Sequence, residues 1–551
     1  MSPTILPDMP SEAALQSLRD ELDGNVFRGV DGFFAKYFEN RPWSAALEEK
    51  LQETKAADKL STDALGLTHF DALVEWLAAF GSLIFVADQS SLRFRTQSLS
   101  STPTGPLSAS IYIETSDLPF VAGSTRVFGE YHHADATVAV DDYDDLMRFY
   151  GRALAVFQAQ PARLFLHGFR VCGSTLKLWV FDRSGAYSSG KLDLAQRPGL
   201  LVQTLASYAM MDDKEAGFNT FVKRLGPGSE GCVTFGQDNK LLHLRPELIA
   251  VPDYLVGLGT TCYAASTSTT GEPTDVVKFS WREGEAHAEI RRLEQARERK
   301  VWATADLRSG LQFPQPFVNR VFSCVATAPL GRPIQKFTSI AELLETLRDL
   351  VKALRSLYLD ARIIHRDIAI KNLVIAPQSS ADNPKGVLID FDQALDVDNA
   401  RAMEPMVGSD GFMAIGILTG KRHTYRHDLE SLFYVFLWFA IANDHENDNA
   451  YDILEGLPKT SRLWKWCSMD FGAVGREKAA DMTPEGFSAL LDEFSADFAP
   501  LRGLAKELHA PIFSLRDGKI FTGTETDQAA VERLYDEMED AFNKGASALQ
   551  N

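Results

Sequence analysis

The chain has 551 residues, 75 acidic against 56 basic, a formal charge of −19, and ordinary shares of hydrophobic (45%) and charged (24%) residues. That length exceeds what one hydrophobic core organises, so roughly two to four domains are expected, and the acidic balance argues against non-specific binding to nucleic acid or to an anionic membrane. The five cysteines (Cys172, Cys232, Cys262, Cys324, Cys467) are scattered without a CxxC spacing, which points to a reducing compartment and away from a zinc site.

In chain order, the opening MSPTILPDMP has neither a charged n-region nor an apolar h-region, so no secretory signal is expected. Ser11 is placed to cap a helix running to about Leu22, and 70–85 reads as a mostly apolar helix or helix–strand passage. Residues 96–108, rich in Ser, Thr, Pro and Gly, read as a surface loop. Strands are expected around 111–113 and 127–130, and a helix over 144–158 with Leu146, Phe149, Tyr150, Leu154 and Phe157 at helical spacing. A hairpin follows, 164–171 and 175–181 about Cys172, Gly173 and Ser174. Glu130 with His132, His133 and Asp135 could be imagined as a metal cluster of the restriction-endonuclease type. The Glu-x-Lys lysine of such sites is a histidine here, so the pattern reads instead as a solvated strand end.

Two glycine-rich stretches come next, GPGSEGCV at 226–233 and VGLGTTCYA at 256–264, then a strand ending in Val276, Val277 and Lys278. A charged amphipathic helix over 281–299 carries Glu285 and Glu289 on one face, with Ile290 and Leu293 toward a core. A strand at 321–325 and a long helix over 339–359 lead into IIHRDIAIKNLVIAPQSSADNPKGVLIDFDQAL, residues 363–395. Beyond it, Leu432–Ala442 is the most apolar run; its eleven residues cannot span a bilayer and read as a buried core helix. A terminal helix is expected over 527–542. A soluble intracellular protein is expected, with no nucleic-acid or membrane partner.

Residues 363–395 resemble the catalytic loop and metal-binding segment of a protein kinase, H-R-D-L-x-x-x-N followed by D-F-G. His365, Arg366 and Asp367 are followed by Asn372, then by Asp390, Phe391 and Asp392 behind an apolar strand. The resemblance implies that Asp367 accepts or orients a substrate hydroxyl, and that Asn372 and Asp390 bind Mg²⁺ on ATP. In such proteins the glycine loop joins the first two strands and the ATP-contacting lysine lies on the third, about twenty residues past the first glycine. Lys278 lies 52 residues after Gly226 but 21 after Gly257. Gly257, Gly259 and Thr260 are therefore the expected nucleotide-covering residues and Lys278 the phosphate ligand, with Gly226–Gly231 a tight turn. Glu289 is the expected carboxylate orienting Lys278, with Glu285 in reserve.

The sequence departs from the kinase pattern at several places. Ala369 stands where a lysine usually meets the γ-phosphate, which leaves Lys371 to reach the same oxygen and makes serine or threonine specificity a lean. Cys262 takes the third glycine position, Asp392 replaces the DFG glycine, and Gly416 replaces the APE glutamate whose ion pair usually anchors that segment. Between Phe391 and Gly408 there is no Ser, Thr or Tyr, so Arg366 is expected to be neutralised by Asp396, Asp398 or Glu404 without a phosphate.

HRDIxxxN, LIDFD, the GSDGFMAI run at 408–415, HDLESLFYVFLW at 427–438, VVKFSW, and the stretch 152–185 together are similar to the fungal-type protein kinase family, from roughly residue 65 to 500. That resemblance implies an α+β, bilobal protein-kinase-like fold with an antiparallel-sheet N-lobe and a helical C-lobe, preceded by a mixed α/β domain. The expected division is 1–215 N-terminal region, 216–325 N-lobe, 326–510 C-lobe and 511–551 extension. The expected function is ATP- and Mg²⁺-dependent phosphorylation of protein hydroxyls on unknown substrates, with the N-terminal region free to bind a partner protein. A nucleotide-binding scaffold without catalysis and a small-molecule kinase are the rivals.

Overall fold

The computed structural model describes residues 12–54, 67–84, 92–99, 107–115, 122–134, 143–197, 199–224, 231–235, 240–283, 288–314, 320–377, 383–399, 406–442, 454, 456–468 and 470–550. The fold is mixed α and β. Two compact units share the chain: the first holds residues 1–273, 277–284 and 311–324, the second 274–276, 285–310 and 325–551.

The first unit contains an eight-stranded sheet built from β1 (Val26–Phe27), β2 (Leu92–Ser98), β3 (Ser108–Thr115), β4 (Thr125–His132), β5 (Leu166–Cys172), β6 (Thr175–Asp182), β7 (Gly185–Ser188) and β8 (Leu192–Asp193). The order is β1-β7-β6-β5-β4-β3-β2, with β8 on β6. Neighbours run antiparallel except β1 with β7 and β4 with β5. The parallel β4–β5 pair needs a crossover, which α1 (Tyr143–Ala159) supplies. Alternation along β6 explains the sheet's two-sided burial. Leu176, Leu178 and Val180 join one core with Trp76, Phe80 and Leu205, while Trp179 and Phe181 join the opposite core with Phe149 and Tyr150 from α1. The hairpin turns at Gly173, whose φ of +56° suits a residue without Cβ.

Two expectations change here. Residues 96–98 belong to β2, paired with 109–111, so the loop between the strands is shorter than the composition suggested. Glu130 and His132 are no solvated strand end: both are buried within β4. Glu130 takes Arg170 Nε at 3.0 Å, His132 Nε2 at 3.2 Å, and the guanidinium of Arg152. Those donors satisfy the carboxylate that a metal site would have needed, and Asp135 lies outside the described residues.

The second sheet runs β14-β15-β13-β12-β11-β10-β9, comprising β9 (Lys223–Arg224), β10 (Gly231–Phe235), β11 (Lys240–Ala250), β12 (Thr261–Ser266), β13 (Asp275–Glu283), β14 (Asp306–Pro314) and β15 (Arg320–Ala328). The last three of these strands pass through the boundary between the units. On β13, Val277, Phe279 and Trp281 alternate with Lys278 and Ser280. Phe279 stacks on Phe322 with centroids 5.6 Å apart, and Trp281 meets the same ring edge-on at 5.5 Å.

The second unit is mostly helical, built from α2 (Ala288–Glu298), α3 (Ile340–Leu359), α4 (Tyr425–Ile441), α5 (Phe471–Asp481) and α6 (Gln528–Gln550), with further helices between. Ser339 caps α3 by accepting from Glu342 N at 3.1 Å. Every residue of α4 is buried, as its apolar run requires. Along α3, α6 places Tyr535 Oη on Leu354 O at 3.3 Å and Glu539 3.2 Å from Lys352. Among the described residues no helix is long and apolar enough to cross a membrane.

Candidate active site

Two small ladders in the second unit hold the two chemically loaded loops side by side. β16 (Ile363–Ile364) pairs antiparallel with β19 (Leu395–Asp396), and β17 (Leu373–Ile375) pairs with β18 (Gly386–Leu388). Residues 365–372 and 389–394 therefore leave one ladder and enter the other together. Short runs of Ile, Leu and Val suffice for such fully buried strands.

Asp367 is at the centre of the first loop. Its Oδ1 accepts from Ser409 Oγ at 2.6 Å and its Oδ2 from Asn372 Nδ2 at 2.9 Å, with Lys371 Nζ 3.6 Å away. Asn372 Nδ2 also donates to the Asp367 carbonyl at 2.8 Å, so the loop is closed on itself by an amide whose oxygen these bonds leave unused. His365 Nε2 donates to Ile389 O at 3.0 Å, and its ring meets Phe391 at 5.1 Å, which fixes the second loop against the first. Arg366 and Asp390 both adopt positive φ, +70° and +64°, a backbone state that non-glycine residues hold only where the surroundings impose it.

The support comes from α4. Asp428 Oδ2 accepts from His365 N at 2.7 Å, and Oδ1 from Arg366 N at 3.0 Å and His423 Nε2 at 3.0 Å. Burial pushes the Asp428 carboxyl up, but the His423 hydrogen bond and charge, with His365, outweigh it and hold the group below the usual aspartate value.

A second concentration of charge faces the other loop. Carboxylate oxygens of Glu289, Asp390 and Asp392 all lie within 4.8 Å of one another. Hard oxygen donors at that spacing suit a divalent cation such as Mg²⁺.

A protein-family model described as fungal protein kinase matches residues 124–311 and 306–440, more than half of the chain. This chain belongs to the fungal protein kinase family. No curated protein sequence matches it. The match covers both loops, α4 as far as Ala440, and the part of the first unit that begins at β4, a narrower span than the resemblance from 65 to 500.

Within this kinase-family chain, the expected residues fall in two places. Asp367, Arg366, Lys371, Asn372, Asp390 and Glu289 are in the second unit; Gly257, Gly259, Thr260 and Lys278 are in the first. Gly257–Thr260 lies on the connection from β11 to β12, and the buried Lys278 lies on the next strand. Residues 225–230 of the rejected glycine stretch, Glu285 and Glu404 lie outside the described residues. The carboxylates expected to answer Arg366 have other partners: Arg292 approaches Asp396 at 4.0 Å and Arg362 approaches Asp398 at 3.3 Å. Arg366 donates through Nε to Gln393 O at 2.8 Å.

The missing APE glutamate has a replacement that sequence reasoning overlooked. Glu430 on α4 accepts Ile415 N at 2.7 Å and pairs with Arg426 at 2.6 Å in a buried i,i+4 bridge. From α5, Lys478 Nζ donates to the carbonyls of Gly411 and Met413, both at 2.8 Å, beneath the rings of Tyr434 and Trp466. Burial pulls the Lys478 ammonium down to about 7, against the opposing pull of Glu430. Gly416 itself leaves room for His427, since a Cβ there would stand 2.3 Å from His427 Nε2. Asp392 was visible as a departure from the pattern, but its role beside Glu289 depends on a fold that brings residue 289 to residue 392.

Proposed function

We propose that this chain transfers the γ-phosphoryl group of ATP to protein hydroxyls, with a lean toward serine and threonine. The observation that carries the reading is the Ser409 hydroxyl on Asp367 at 2.6 Å. It supports a carboxylate that accepts a hydrogen bond from an aliphatic alcohol while an amide holds its other oxygen. In the reaction, the acceptor O–H proton passes to Asp367 as the new O–P bond forms and the bond to the ADP oxygen breaks. Lys371, whose ammonium is 3.6 Å from Asp367, would neutralise charge gathering on the transferred group, in place of the lysine absent at Ala369. Lys278 is assigned to the α and β phosphates and Gly257, Gly259 and Thr260 to covering them, on the strength of the family resemblance. Asn372 Oδ1 and the Asp390 carboxylate would hold Mg²⁺, with Asp392 and Glu289 adding oxygens; when bound, the ion neutralises phosphate charge. The grouping of the three carboxylates fits that ion.

The scaffold alternative draws on one observation: the Gly257 N–H, a donor that a glycine loop could offer to phosphate, is taken by Arg183 O at 2.9 Å. Transfer of label from γ-labelled ATP to protein and peptide pools by the unaltered chain and by Asp367→Ala decides between them. Transfer lost in the variant supports catalysis. Equal signals from both point to the scaffold.

A further inference from the structure

The connection from β11 to β12, residues 251–260, is gripped by the N-terminal sheet of the same unit. Arg183 sits in the turn between β6 and β7, fully buried, with its guanidinium 4.8 Å above the Phe157 ring. Its Nη1 donates to the carbonyls of Tyr254 at 2.6 Å and Leu255 at 3.3 Å. Its own carbonyl accepts Gly257 N–H at 2.9 Å. Arg320, on β15, closes the arrangement by donating through one nitrogen to Arg183 O at 2.5 Å and Gly257 O at 2.7 Å. Glu21 takes the Val256 N–H, and Trp281 N–H on the Lys278 strand donates to Leu258 O at 2.6 Å.

The two glycines are shaped by this grip. Gly259 has φ +56°, and a Cβ there would stand 2.7 Å from Arg183 Nε. Gly257 has φ +145°, and a Cβ there would meet the Tyr254 ring at 2.7 Å. Each glycine therefore answers to a protein neighbour before any ligand is considered. Leu258 between them remains exposed.

We propose that Arg183, bridged by Arg320, is a positioning residue that holds the Gly257–Thr260 segment in place ahead of nucleotide, so that the N-terminal sheet sets ATP affinity. This rests on the proposed kinase function. A segment already ordered need not be ordered by its ligand, so loosening it weakens binding without touching the groups that move protons. The N-terminal sheet thereby acquires a role in the nucleotide reaction of the same chain.

The test uses the full chain. Arg320→Met removes the bridge from a partly exposed site; Gly259→Ala pushes on Arg183; Arg320→Lys is the conservative rescue. Thermal melts confirm folding. Hydrogen exchange over 254–260 without nucleotide is expected to rise at least several-fold in Arg320→Met and Gly259→Ala. In Arg320→Met the KM for ATP with Mg²⁺ is expected to rise about tenfold, with kcat within about twofold, and Arg320→Lys is expected to recover part of the loss. Unchanged exchange, an unchanged KM, or an equal fall in kcat overturns the inference while leaving the kinase reading intact. Absence of ATP binding by the unaltered chain overturns the kinase reading and this inference with it.

Discussion

Ser409 Oγ donates to Asp367 Oδ1 at 2.6 Å, which joins the segment after the unphosphorylatable loop directly to the candidate base. A phosphate or carboxylate on residue 409 would replace that donor with a negative charge against Asp367. Ser409→Asp is expected to lower kcat by roughly a hundredfold or more, whereas Ser409→Ala, which loses only one positioning bond, is expected to cost about tenfold. Steady-state phosphotransfer on both variants checks this. Activation by Ser409→Asp would contradict the arrangement.

Asp392 stands among the oxygens of Glu289 and Asp390. Asp392→Gly restores the glycine usual in kinases but removes one hard oxygen. The Mg²⁺ concentration giving half-maximal activity is expected to rise about tenfold. A Mg²⁺ titration at fixed ATP measures it; no shift would mean that Asp392 takes no part in holding the ion.

Gly416 and His427 share one space. Gly416→Glu, which would recreate the usual glutamate, is expected to destabilise the chain by about 2 kcal/mol or more through overpacking. Combining it with His427→Ala is expected to return a good part of that loss, because the imidazole is what the new side chain strikes. A double-mutant cycle of melting temperatures reads the coupling. Strict additivity would show that the two sites are independent.

Lys478 is fully buried, and burial pulls its pKa down to about 7 from 10.5. The unfolded chain therefore binds the proton more tightly across that window. Below about pH 7 both states are protonated, and as pH rises from there the folded state is relieved of a buried charge, so stability is expected to increase. The slope is at most about 1.4 kcal/mol per pH unit, and a neutral amine still has two N–H donors for the Gly411 and Met413 carbonyls. Lys478→Met is expected to abolish this rise and to cost roughly 2–4 kcal/mol, because two buried carbonyls lose their donor. Denaturant melts of both chains between pH 6.5 and 9.5 test it, with the difference in slope as the readout.

Much of the architecture was legible because it is local. The apolar run 432–442, the helix over 339–359 and the hairpin about Gly173 are each specified by neighbours a few residues away. The family likeness was legible for a related reason: His365, Asp367, Asn372 and Asp390 lie close enough in sequence to be read as one pattern. The preference for Gly257 over the better-matching Gly226 as the expected nucleotide-covering glycine rests on the reach of two strands alone. Glu130 was misread because its partners, Arg152 and Arg170, come from a helix and a strand that no short window joins to it.

The sequence by itself thus determined the family and many of the elements, and named the candidate site residues. Only the tertiary structure decided what surrounds them. Glu289 beside Asp390 and Asp392, Lys478 under the Gly411–Met413 segment, and Arg183 on Gly257 are contacts across tens to hundreds of residues. Such contacts depend on where whole elements pack. A side chain of a given type carries no mark of which distant carbonyl or carboxylate it will meet, because that pairing is set by the burial of the apolar faces on which both residues ride.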